Sequence, residues 1–267
     1  MDSNEKDDLL QGIDIFRVYC GMVLLSFAKH GHGLRETTAR NFIARGMSSL
    51  QSIYHVWEIG NEQDAWILHR SLVDRLLHLH FLGVTDSFTD FEEYSFISMF
   101  KARDKIISNP LMRNKVQQLK EIHKNERQKY ETLLIKGCKW KRPRAQDVAK
   151  QMNLSLVYDI SYDYASMHVH PLSSDGFNDF QKLIEIPDKL TLPDSTVVRN
   201  SINVQSLLVQ EAFNISKMRW RAIAYDFLSQ IRSFAGCDDQ QYITTIYKLR
   251  KVWPDFHLCE EPTTEKK

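Results

Sequence analysis

The sequence predicts an all-α protein: a multi-helix bundle with a long charged helical arm and a long C-terminal helix. Three observations carry this expectation. Gly and Pro are scarce, 10 and 7 in 267 residues, which leaves room for long helices and too few turns for an all-β chain. Apolar residues recur near every 3.6 positions along most of the chain. Hydrophobic residues make up 43% and aromatics 11%, enough material for a large core.

Leu9 to His30 carries a broad apolar face through Ile13, Phe16, Val18, Cys20, Val23, Leu24 and Phe27, and Gly31-His32-Gly33 ends it. A second helix is expected from Arg35 to Ile59, with Phe42, Ile43, Leu50, Ile53, Tyr54 and Trp57 inward and Gly60-Asn61 as its stop. A third, Glu62 to Leu82, is apolar on almost every face and is read as central. Asp86 to Ser108 places Asp90, Glu92 and Glu93 near a helix N-terminus, where negative charge is favoured. Leu111 to Lys136 is charged and poor in aromatics, and is read as a protruding arm. Lys136, Lys139, Lys141, Arg142 and Arg144 then surround Trp140 in a basic loop.

Two further helices are expected over Ala145–Asn153 and Leu154–His170, the second closed by Pro171. Leu172 to Thr196, with Pro187 and Pro193, is the longest irregular region, with one short helix around Phe177–Ile184. Val197 to Phe234 reads as one helix of about 38 residues, ended by Gly236. Asp238 to Val252 is a last amphipathic helix. This gives a single helical domain over 1–259, with 111–144 as its extension and 260–267 as a disordered tail.

The net charge of +1 argues against wholesale attraction to nucleic acid or an anionic membrane. Cys20, Cys138, Cys237 and Cys259 form no C-x-x-C pair, and no disulfide framework is expected. The first eight residues are polar and acidic, unlike a signal peptide or presequence. The longest apolar run, Val18 to Ala28, is about 11 residues, against roughly 20 for a bilayer span. A cytoplasmic location without membrane contact is therefore expected. Three His-x-His pairs (His30/His32, His78/His80 and His168/His170) would point apart on a helix, so neither a metal nor another cofactor is expected.

Two polar clusters stand out. On the third helix His69, Arg70 and Asp74 interrupt an apolar sequence, and Arg70 and Asp74 share a face at i and i+4. Such a pair is either functional or a buried ion pair tying helices together. In the second cluster, Asp159, Tyr162, Asp163, Ser166 and His170 fall along one helical stripe, with Tyr164 and His168 beside them. His170 offers a base and Ser166 a hydroxyl for acid–base chemistry, with Arg70 and Asp74 as their partners, while Tyr162, Asp163, Tyr164 and His168 offer ligand contacts. A hydrogen-bonded helix end stitched to Arg70 is the alternative. In the basic loop, Lys139, Trp140, Lys141, Arg142 and Arg144 combine charge with an aromatic ring suited to phosphate contact and base stacking, or are solvated surface.

The segment His69-Arg70-Ser71-Leu72-Val73-Asp74, followed by Tyr164-Ala165-Ser166-Met167-His168-Val169-His170-Pro171, resembles an uncharacterised family of bacterial helical proteins. Its members carry an Arg-Ser-Leu-x-Glu-like segment on a central helix and a later Tyr-x-x-x-Ser-x-x-x-His-Pro-like segment. The resemblance spans roughly residues 35–175. It implies recurrent polar positions at Arg70, Asp74, Ser166 and His170, and binding or hydrolysis of a nucleotide or nucleic acid, in a stress or phage-defence setting. Asp74 stands where Glu is usual and Asp163 where a basic residue is usual. A second resemblance is to the HEPN class of helical ribonucleases, through Arg-x4–6-His windows at Arg75–His80 and Arg250–His257. It implies Arg75 and His80 as catalytic alternatives, with His80 facing a cleft. The competing class is a non-enzymatic interaction protein, a homo-oligomer or a binder of a helical partner, using 111–136 and 197–234 as its surfaces.

Overall fold

The computed structural model describes residues 3–109, 111, 122–169, 173, 176, 180, 184, 194–216, 221–237 and 241–252. It is all-α, and no strand occurs among the described residues. The helices are α1 (Ser3–His30), α2 (Leu34–Glu58), α3 (Glu62–Thr85), α4 (Phe88–Ile107), α5 (Lys124–Lys136), α6 (Ala145–Gln151), α7 (Ser155–Val157), a π-helical segment (Tyr158–Asp163), α8 (Tyr164–Met167), α9 (Thr196–Ile215), α10 (Arg221–Cys237) and α11 (Gln241–Val252). The chain divides into two compact units, residues 1–81 with 144–267, and residues 82–143. The second begins at Leu82, well before the extension expected at 111. The tail 260–267 and most of 172–193 lie outside the described residues.

In the first unit, α1 buries Leu9, Ile13, Phe16, Cys20, Val23 and Phe27, a spacing of three and four that keeps them on one face. That face meets α10 where Tyr19 stacks on Phe227 with centroids 4.2 Å apart and donates to the Ala224 carbonyl at 3.0 Å. α2 ends as its Gly-Asn signal predicts. Gly60 takes a left-handed φ of +82°, its N–H bonds the Trp57 carbonyl at 2.8 Å, and the Asn61 N–H bonds the Val56 carbonyl at 3.1 Å. This paired closure satisfies carbonyls that the helix end would otherwise orphan. Asn61 then caps α3, accepting from the Asp64 N–H at 3.2 Å. At mid-bundle α2 and α9 pack closely through Gly46, where an added Cβ would lie 2.2 Å from Gln205 Oε1 and 2.9 Å from Leu208.

The expected single helix over 197–234 is two helices. Ser216 adopts an extended backbone, φ −102° and ψ 169°, and stops α9. α10 folds back on it: Tyr225 donates to Asn214 Oδ1 at 2.6 Å and Arg232 to Gln210 Oε1 at 2.9 Å. Both helices carry apolar faces (Val198, Ile202, Val209 and Phe213; Phe227, Ile231 and Phe234), and each gains more by burying against the other than by continuing straight. These side chains are spent inside the unit.

By length and composition Glu5–His30 could cross a membrane, a longer window than the Val18–Ala28 run suggested. Half of that window is buried within the bundle.

In the second unit, α4 and α5 run antiparallel. Phe100 stacks on Tyr130 at 4.1 Å, and Arg103–Glu126 (2.7 Å), Arg127–Asp104 (3.2 Å) and Lys136–Glu93 (2.6 Å) pair along the seam. Exposed pairs of this kind contribute at most about 1 kcal/mol each. The apolar anchor is Trp140, which is buried between Phe91 (5.0 Å) and Tyr94 (4.5 Å). Trp140→Ala is therefore expected to remove about 3 kcal/mol from this unit. Hydrogen exchange along α4 and α5 checks this, since both helices should lose protection together.

Candidate functional site

Glu62, Trp66 and Arg70 lie on α3 at i, i+4 and i+8, one stripe of the helix. This stripe faces the segment that the sequence marks as polar. Arg70 donates from Nη2 to Tyr162 Oη at 3.4 Å, and its guanidinium carbon sits 4.9 Å from the Tyr162 ring centre. Its Nε is buried without a hydrogen-bond partner. One turn earlier, Trp66 meets Tyr164 edge to face at 5.0 Å and donates from Nε1 to Glu62 Oε1 at 3.3 Å. Tyr164 in turn contacts the His168 ring at 5.1 Å. An open groove at this place is lined by Glu62, Trp66, Asp159, Ile160, Tyr164, Asp194 and Thr196. Asp194 already serves the start of α9, accepting from the Thr196 N–H at 3.2 Å and its Oγ1 at 2.7 Å. Asp159 is exposed and is the groove's freer acceptor.

The structure thus brings Arg70 to Tyr162, and Trp66 to Tyr164 and, through it, to His168. It does not preserve the expected stripe Asp159–Tyr162–Asp163–Ser166–His170. The π-helical turn over Tyr158–Asp163 has i→i+5 bonding, so residues there advance by a smaller angle than the α-helical spacing assumes. Ser161 is consequently buried, Tyr162 turns toward Arg70, and Asp159 and Asp163 point to solvent. Ser166 is no poised nucleophile either. Its Oγ donates to the Tyr162 carbonyl at 2.6 Å, a bond back along its own helix. His170 lies outside the described residues. Asp74 is half-buried, and its backbone carbonyl accepts from His78 Nδ1 at 2.7 Å.

His69, beside this stripe, is wholly buried. Ser201 Oγ donates to the Val197 carbonyl at 2.7 Å, so the 2.8 Å contact between Ser201 Oγ and His69 Nδ1 is a donation by the histidine. Nε2 is then unprotonated and has no partner. Burial pushes the His69 pKa down to about 3, so the ring is neutral. It is a core histidine, anchoring α3 to α9.

The Arg75–His80 window does not converge. Five residues on a helix separate two side chains by roughly 140°. Arg75 reaches α2, donating from Nη1 to Ser49 Oγ at 3.4 Å, while His80 reaches α9, donating from Nδ1 to Glu211 Oε1 at 2.9 Å. The His80 and Glu211 side chains are 18% and 10% exposed. Asn214 Nδ2 donates to Glu211 Oε2 at 3.1 Å, which fixes the carboxylate. A carboxylate behind Nδ1 leaves Nε2 as the working nitrogen of His80. The other window ends at His257, outside the described residues.

In the basic loop Lys139, Lys141, Arg142 and Arg144 are exposed, and Arg144 lies 3.9 Å from Asp147. Trp140 does not offer a stacking face, because Phe91 and Tyr94 already occupy it. Among the described residues no group of three or more His, Cys, Asp or Glu is placed to hold a metal ion.

A family model matches residues 37–183, more than half of the chain, and spans both polar clusters. The chain belongs to DUF5677, a family of unknown function. No curated protein and no solved structure matches it. Within the DUF5677 stretch lie Trp66, Arg70, His80, Tyr162 and Tyr164, while Ser201 and Glu211, which hold two of its histidines, lie on α9 beyond it.

Trp66, Glu62, Ser201 and Glu211 were not legible as site residues. Trp66 and Glu62 belong to apolar and capping patterns that helices use structurally, and the two α9 partners are more than 130 positions away in sequence. The i, i+4, i+8 spacing of Glu62, Trp66 and Arg70 was the one available signal.

Proposed function

We propose that this DUF5677 protein binds a nucleotide on the α3 stripe. One observation carries the reading: an acceptor, an aromatic pair and an arginine follow one another along a single helix face. Glu62 and Asp159 suit the exocyclic amino groups of a base, the exposed Tyr164, backed by the buried Trp66, its ring, and Arg70 the phosphate one helical turn further on. Tyr162 holds the Arg70 guanidinium on this face, accepting from Nη2 at 3.4 Å with its ring 4.9 Å from the guanidinium carbon. Binding is favoured over hydrolysis here, since Ser166 is committed to the Tyr162 carbonyl. A ribonuclease reading rests on His80 alone, through its Glu211 partner, and Arg75 lends it no support.

Equilibrium binding of mononucleotides and the matching nucleosides tests the proposal. Arg70→Gln should weaken nucleotide affinity roughly 10- to 100-fold, the value of a charge-assisted hydrogen bond, and leave nucleoside affinity unchanged. Tyr164→Leu should weaken both. No saturable binding by the folded parent, or equal affinities in all three proteins, would overturn it.

A further inference from the structure

A second cationic cluster lies elsewhere on α3, roughly 140° around the helix from Arg70. On α2, Arg45 and Ser49 are one turn apart, and Ser49 Oγ donates to the Arg45 carbonyl at 3.0 Å. On α3, Arg75 donates from Nη1 to the Ser71 carbonyl at 2.8 Å, to Ser71 Oγ at 3.3 Å and to Ser49 Oγ at 3.4 Å. Its guanidinium therefore bridges the two helices and is half-buried. Burial and, after it, the neighbouring Arg45 charge push the Arg75 pKa down, and Asp74 opposes them more weakly. Among the described residues neither Arg45 nor Arg75 has a carboxylate within ion-pair distance. Arg75 Nε and Nη2 make no hydrogen bond there and are not sealed from solvent.

Arg45 lies one turn from Ser49, the α2 residue that Arg75 reaches, so two like charges share this surface, one of them half-buried, and forgo stability unless an anion joins them. The chemistry on offer is specific. A guanidinium presents a planar fork that matches two oxygens of a phosphoryl group, and a second guanidinium supplies further donors and charge. The two serines are braces, since Ser49 Oγ and Ser71 Oγ donate to the Arg45 and Leu68 carbonyls and accept from Arg75. Sulfate-like tetrahedral dianions fit the same fork, whereas chloride gains nothing from it.

We propose that Arg45 and Arg75, the latter held in place by Ser49 and Ser71, form a phosphoryl-binding site on the α2–α3 surface, separate from the α3 stripe that carries Trp66 and Arg70. The phosphoryl group belongs either to free phosphate or to a nucleotide, and the experiment separates the two. It does not depend on the nucleotide reading of the stripe, because inorganic phosphate is the primary probe.

The test is thermal unfolding of the full chain with increasing inorganic phosphate, against sodium chloride at matched ionic strength. The parent should gain melting temperature saturably with phosphate and not with chloride. Arg75→Gln and Arg45→Gln should each weaken phosphate binding tenfold or more, while Arg17→Gln, which removes an exposed arginine of α1, responds as the parent does. Arg45 is exposed, so its variant tests the site without disturbing the core. A mononucleotide forms the second arm. Nucleotide protection that is smaller in Arg75→Gln than in the parent assigns the group to nucleotides, and an Arg75→Gln deficit seen with inorganic phosphate alone assigns it to the free ion. Phosphate that acts no differently from chloride, or an Arg45→Gln variant that responds like the parent, overturns the proposal.

Discussion

Trp57→Ala is expected to cost about 3–5 kcal/mol, a large share of the stability of any single domain. Trp57 is fully buried at the end of α2, packs on Tyr54 with centroids 5.8 Å apart, and donates from Nε1 to the Asp194 carbonyl at 3.0 Å. Truncation would remove the largest fully buried side chain and leave a cavity beside Tyr54. It would also orphan the Asp194 carbonyl, next to the start of α9. Trp57→Phe separates the two contributions, keeping most of the volume and losing the donor, at a further cost of about 1 kcal/mol. Urea unfolding measures both. A loss under about 1 kcal/mol for the alanine variant would mean that the α2–α9 junction is not packed as described.

Acid should destabilise the protein through His69. The folded pKa is depressed to about 3, whereas an unfolded histidine titrates near 6.5. Between those values the unfolded chain binds a proton that the folded one refuses, so stability falls as pH drops from about 6.5 toward 3, and it is unaffected by this group above that window. At about 1.4 kcal/mol per pH unit, moving from pH 7 to pH 4.5 costs roughly 2–3 kcal/mol from this residue alone. The comparison is the difference between the parent and His69→Leu, which removes the titrating ring and leaves the carboxylates in common. The parent's unfolding midpoint should fall more steeply over that range. Parallel curves would mean that His69 is not buried in the neutral form.

The fold was legible wherever local chemistry decided it. The Gly60-Asn61 stop, the Asn61 cap and the apolar faces of α1, α2 and α3 each follow from residues within one or two turns. The break between α9 and α10 was not, because continuous apolar periodicity runs through it and only the mutual burial of Phe213, Phe227 and Phe234 rewards a hairpin. Trp140 shows the same limit in reverse. A tryptophan among lysines and arginines looks like a stacking surface until Phe91 and Tyr94, nearly fifty residues earlier, are seen to enclose it. At the candidate site, Arg70 and Tyr162 were both visible as polar outliers, but their neighbours were misassigned. A π-helical turn leaves no clear trace in residue types, so the α-helical stripe through Asp163 and Ser166 failed where the backbone left α geometry.

The central claim is that the α3 stripe receives a ligand. Indole N–H resonances report on it directly, because the five tryptophans of the chain include Trp66 on the stripe and Trp140 in the other unit. Trp66→Phe assigns the first by its disappearance. Titration with a mononucleotide should move the Trp66 resonance saturably and leave Trp140 in place. A Trp66 resonance that stays still while the basic-loop tryptophan moves, or no movement at any indole, would contradict it.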